Sequence, residues 1–200
     1  MVLAANTVNA ANPNLLIFFA GLDSDITIYP IPTGSDLGDG VKFIKSDFAY
    51  ADKLVLELHN YMSSTFSCDV LELYLYESGF NALNADDSAV VNVMPVVMTE
   101  FGYAQDQSDV DSIYATCLKS YLPSQQAGWM VWTVAGSYYI RSGVQDSDET
   151  YGEYRSIMIL LVVKSSANCG SGILNHQWSD YRNETIFEQG VAQLIAASLS

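Results

Sequence analysis

Basic residues are scarce in this sequence. The 200-residue chain holds 8 lysines and arginines against 23 aspartates and glutamates, a net charge of −15. That balance excludes a basic nucleic-acid-binding stripe and leaves no polybasic patch for a membrane surface. It suits a neutral, soluble partner. Histidines number two and cysteines three, with no Cys-x-x-Cys spacing, so the usual ligand sets for zinc are missing. No metal and no cofactor is expected. An odd cysteine count leaves at least one thiol unpaired within the chain. Nor does any apolar run approach the about 18 residues of a membrane span. The apolar stretch Leu15-Leu16-Ile17-Phe18-Phe19 has no basic residue before it, which makes a poor signal peptide.

What is present is a globular composition, half of it apolar, at a length that allows one domain with a sizeable core. Short apolar runs bounded by turn residues read as buried parallel strands. Four such runs occur, at 15–20, 54–61, 95–101 and 128–133. The first follows Asn12-Pro13-Asn14 and closes at Gly21. Residues 1–12 look like the tail of a helix. A further helix is expected from about 69 to 83, with Ser67 or Asp69 as its cap and Leu71 and Leu75 on one face. Another follows Ser108-Asp109, with apolar residues at 110, 113, 114, 117, 118 and 121, and Pro123 should stop it. A last one spans about 185–199, weakened by Gly190. Strand, loop and helix thus recur about four times, and the class is α/β.

The chemistry sits at the carboxyl ends of these strands. In Pro95-Val96-Val97-Met98-Thr99-Glu100-Phe101-Gly102, alternation puts Val96, Met98 and Glu100 on one face, with the glutamate last. That is the rim of a sheet, where ligands meet α/β folds. By itself such a glutamate reads as merely solvated. In the run from Leu54 to Tyr61, His59 and Tyr61 fall at the carboxyl end, opposite the face of Leu54, Leu56 and Leu58. A lone strand histidine is more often structural than catalytic. Trp129 reads as core, and Trp132, near the end of the fourth run, as either core or a platform for a sugar ring. Asp146, Asp148 and Glu149 lack the spacing of a calcium loop. Asn183-Glu184-Thr185 matches the N-glycosylation acceptor, a short pattern with many false positives.

Four features in order tie these observations together: Asn12-Pro13 before the first strand, His59-x-Tyr61, Thr99-Glu100-Phe101-Gly102, and Trp132 at a strand end. They resemble glycoside hydrolase family 5, the cellulase-like (β/α)8 TIM barrels, in its fungal members. The resemblance covers residues 11–152 and 172 to about 186, and aligns them with the fifth to eighth units, a half barrel. It implies a retaining hydrolase acting on a β-glucan or related β-glycoside, with a carbohydrate as partner and the oligomeric state open. Glu100 would be the nucleophile, Tyr61 would hydrogen-bond it, His59 would contact the sugar and Trp132 would floor the sugar subsite. The intact homologue would be extracellular. The family's proton donor is a Glu after an Asn at the end of the fourth strand, and no residue here matches it. The alternative is therefore a catalytically inactive half barrel with residual carbohydrate binding.

The same alignment places Cys68 and Cys117 on consecutive helices, either as a disulfide or as two buried thiols. Residues 1–200 form a partial catalytic domain on this reading, with an insertion at 153–171. That insertion, EYRSIMILLVVKSSANCGS, has ends that translate like splice sites, so a retained intron competes with a genuine buried strand or hairpin.

Overall fold

A computed structural model describes residues 1–135, 139–141, 144–146, 172–175 and 178–200. The insertion at 153–171, with Cys169, lies outside the described residues, as do Asp148 and Glu149. Two compact units are present: 1–60 with 69–100 and 124–130, and 61–68 with 101–123 and 131–200.

The first unit is built on a sheet. After helix α1 (Val2–Ala11) come β1 (Ile17–Phe19), the single turn α2 (Pro30–Thr33), β2 (Leu54–Asn60), α3 (Cys68–Ser78), β3 (Val96–Phe101) and β4 (Gly128–Trp129). The strands lie in the order β1-β2-β3-β4. β1 runs parallel to β2 with Ile17 opposite Leu54, and β3 runs parallel to β4 with Val97 opposite Gly128. Period-two patterning decides which way β2 faces. Leu54, Leu56 and Leu58 are at most 1% exposed, and each such burial contributes about 1.5–3 kcal/mol. The opposite face carries Val55, Glu57 and His59. β1 is one of the two edge strands of this sheet, and Leu15, Leu16 and Phe18 around it stay 41–56% exposed.

The long connection from β1 to β2 is held by aromatic packing and by one amide. Phe19, Phe43 and Phe48 meet with ring centroids 5.3–5.9 Å apart. Buried Asn92 donates to the carbonyls of Ile31 (2.8 Å) and Phe43 (3.1 Å) and accepts from the Lys45 amide (2.9 Å). One side chain thus satisfies three backbone groups that would otherwise be costly to bury. Helix α3 stops at Ser78, earlier than the expected end near 83, because Gly79 takes φ +151°. A Cβ there would lie 2.0 Å from Ile28 Cγ1, so the site is closed to other residues. A short 3-10 turn, Phe80–Leu83, completes the segment.

The second unit is helical in its described part, with α4 (Gln107–Val110), α5 (Ile113–Ser124), α6 (Glu184–Gln189) and α7 (Val191–Ser198), plus the hairpin β5 (Tyr139–Arg141) and β6 (Val144–Asp146). Two expected helices are divided. Asp106, not Ser108 or Asp109, caps α4 by accepting from the Asp109 amide (2.9 Å), and α5 starts afresh at Ile113. Pro123 does not end α5 but sits in its last turn, one residue before the terminus. The final helix breaks at Gly190, where a Cβ would stand 2.5 Å from Tyr103 Oη and 3.0 Å from Val110 Cγ2. We expect Gly190→Ala to lower stability by about 1–3 kcal/mol, as overpacking does, read as a lower melting temperature; no change would mean that the tyrosine simply moves aside. No described helix is long and apolar enough to cross a membrane.

Candidate active site

Glu100 is the fifth of six residues in β3, on the same face as Val96 and Met98, which are 2% and 0% exposed. Two apolar side chains anchor the strand, and the third position of that face surfaces at its carboxyl end. β2 lies beside it and ends in the same way, so His59 reaches the same rim. His59 Nδ1 is 3.6 Å from Glu100 Oε2, and the side chains are 20% and 27% exposed. The structure therefore brings together two residues separated by 41 positions.

A third residue joins them. Asp25 Oδ2 stands 3.8 Å from His59 Nε2, with the aspartate side chain 24% exposed. Both contacts are ion-pair distances rather than direct hydrogen bonds. A neutral imidazole has one N–H and turns a proton toward one carboxylate, whereas a doubly protonated ring serves both. The sequence reading missed Asp25. The available signal was its position just past Gly21, in the loop at the carboxyl end of the first strand.

The loop that delivers Asp25 is strained. Asp23, Ser24 and Asp25 take φ values of 53°, 62° and 64°, three successive left-handed residues with no glycine among them. Each costs about 1–2 kcal/mol relative to ordinary backbone. The turn is closed by the Leu22 amide on the Thr27 carbonyl (2.8 Å) and the Ile26 amide on Leu22 (3.0 Å). At Gly21 an added Cβ would meet the Thr27 carbonyl oxygen at 2.6 Å, so only glycine permits that closure.

The other two expected site residues belong to the second unit. Tyr61 is half-buried just past β2. Trp132 is 37% exposed; it follows β4 rather than ending a strand that continues to 133, and its amide donates to the Phe101 carbonyl at 2.7 Å. Its peptide to Thr133 is cis. Cys68 is bonded to Cys117 with Cα atoms 5.3 Å apart. Behind Tyr61 the unit buries further tyrosines. Burial pushes the Tyr103 hydroxyl up to about 12. Tyr114 stands well above its ordinary value, through burial first and then the nearby hydroxyls of Tyr61 and Tyr103. A phenol whose folded value is raised contributes full stability below pH 10 and loses it as pH rises toward 12. Tyr103 alone should contribute about 2–3 kcal/mol to alkaline sensitivity. Unfolding followed from pH 9 to 12 should show the loss, and Tyr103→Phe should reduce it while Tyr114 retains its own share; an unchanged profile would contradict the assignment.

An open cavity of about 610 Å³, lined by Thr33, Lys42, Phe43, Lys45 and Asn92 among others, contains none of Asp25, His59 or Glu100. Lys45 and Asn92 precede β2 and β3, so this cavity lies toward the amino ends of the strands, away from the rim where α/β folds act.

No family model matches the chain. The chain is similar to a glycosyl hydrolase 5 family protein of the conifer Chamaecyparis obtusa, 29% identical over 194 residues. The alignment covers 92% of this chain and 29% of the conifer protein, so the chain spans less than a third of that relative's length. A conifer relative does not speak for a fungal lineage.

Proposed function

We propose that the chain is part of a retaining glycoside hydrolase of family 5, acting on a β-glucan or related β-glycoside, with Glu100 as nucleophile. The observation that carries this reading is the pairing of Glu100 with His59 at the carboxyl ends of neighbouring strands; similarity to the conifer protein supports it. In the proposed reaction a Glu100 oxygen attacks the anomeric carbon and the glycosidic oxygen leaves. Water then cleaves the glycosyl ester with net retention. Tyr61 and Trp132 keep their expected roles in this reading. The strands align with the fifth to eighth units of a (β/α)8 barrel. The Cys68–Cys117 bond favours an extracellular setting for the intact protein, since disulfides persist in oxidising compartments.

The proton donor, which stands about 5 Å from the nucleophile in retaining enzymes, has no matching residue in this sequence. A second reading follows, in which this polypeptide binds carbohydrate without hydrolysing ordinary glycosides. The two are separated by a substrate whose leaving group needs no proton. A 2,4-dinitrophenyl 2-deoxy-2-fluoro-β-glucoside releases its phenolate unaided and leaves a slowly hydrolysed ester on the nucleophile. Incubated with the full chain, it should add one fluoroglucosyl group to the peptide containing Glu100, read by mass spectrometry. An unlabelled chain, or a label elsewhere, would overturn the nucleophile assignment. Residues 153–171 are proposed as a retained intron, and a main transcript carrying them in frame would refute that.

A further inference from the structure

We infer that Asp25 is the positioning residue for His59, aiming its Nδ1 at the Glu100 carboxylate; this rests on Glu100 being the nucleophile. Asp25 grips one residue twice. Its backbone carbonyl accepts from the His59 amide at 2.7 Å, and its carboxylate oxygen stands 3.8 Å from His59 Nε2. The first contact fixes where the strand end lies, and the second fixes which way the ring faces. An imidazole can rotate half a turn about its last bond and exchange nitrogens for carbons. With a carboxylate at Nε2 on one side and Glu100 at Nδ1 on the other, one orientation satisfies both.

The backbone gives the same answer independently. Three consecutive non-glycine residues in the left-handed region persist only where surrounding structure over-determines them, and such outliers gather at functional sites. Here the constraint ends at Asp25, the member of the turn that touches His59. On this view His59 has a carboxylate facing each ring nitrogen, Asp25 at Nε2 and Glu100 at Nδ1. Its part is to hold the nucleophile rather than to hydrogen-bond the sugar.

The test uses variants that keep the turn. Asn is among the residues that best tolerate left-handed backbone, and Gly adopts it freely. Asp25→Asn therefore removes the charge, and Asp25→Gly removes the side chain while retaining the carbonyl contact to His59. Both should label with the activated fluoroglucoside more slowly than wild type, on the order of 10-fold, at a melting temperature no lower than that of wild type. A readout independent of turnover comes from the ring nitrogens. The chain has two histidines, so His176→Gln assigns the 15N ring signals of His59. Those signals should move in both Asp25 variants. Equal labelling with unmoved His59 signals overturns the inference, as does a loss of labelling that appears only with a lowered melting temperature. If wild type is not labelled, the nucleophile assignment falls, and the His59 ring signals alone then decide whether Asp25 holds the ring.

Discussion

Glu100→Gln should remove fluoroglucosyl labelling to below detection, whereas Glu100→Ala with added azide should restore turnover of 2,4-dinitrophenyl β-glucoside and yield the α-glucosyl azide. The first result follows because an amide oxygen is too weak a nucleophile to displace even an activated phenolate. The second follows from geometry. Truncation would open a space beside His59 for a small anion, which on the proposed assignment attacks the anomeric carbon on the face that the Glu100 carboxylate would use. One displacement then inverts the centre, where two displacements would retain it. No proton donor is needed in either experiment. Both therefore examine Glu100 alone, and neither depends on the carboxyl that has no match here. A β-configured azide product, or labelling that survives in Glu100→Gln, would assign the nucleophile elsewhere.

Loss of the Cys68–Cys117 bond is the larger stability effect. The bond closes a loop of 49 residues, and the chain-entropy relation gives about 4 kcal/mol at 25 °C for a loop of that length. A domain with 5–15 kcal/mol in total would lose a large share. Reduction, or the double substitution Cys68→Ala with Cys117→Ala, should move the guanidinium midpoint down accordingly. Alanine is chosen because Cys117 is fully buried and a serine hydroxyl there would add a penalty of its own. Making the comparison in a Cys169→Ser background removes disulfide exchange with the third cysteine. A midpoint that stays within error would show that the unfolded chain is already constrained in this region.

The legible parts of the fold are those with short-range causes. β2 and the end of β3 declared their faces through period two, so Glu100 and His59 could be placed at strand ends from residues alone. Asp25 could not, because its place depends on three left-handed residues and a closure that only Gly21 allows, and nothing in Asp-Ser-Asp announces that conformation. The helix divided at Gly190 carried a local sign, the glycine, but its cause is the distant hydroxyl of Tyr103. Ser112 gave less warning, since its hydroxyl accepts from the Ala115 amide and restarts a helix that hydrophobic periodicity runs straight through. Pairing of the cysteines stayed open for the same reason. Forty-nine positions separate them, and local pattern does not set whether their Cα atoms approach to 5.3 Å.

The exposed edge at β1 sets how this protein can be handled. Its outer N–H and C=O groups face away from β2, and the exposed Leu15, Leu16 and Phe18 border them. Two such edges meeting in solution would pair as strands do, and the encounter rate grows with the square of concentration. Net charge opposes that encounter at low ionic strength, and salt removes the opposition within a Debye length of about 8 Å at 0.15 M. Light scattering should therefore rise with salt at fixed protein, and a lysine placed at Phe18 should suppress it. For this polypeptide on its own, dilution and ionic strength should then govern association before temperature does.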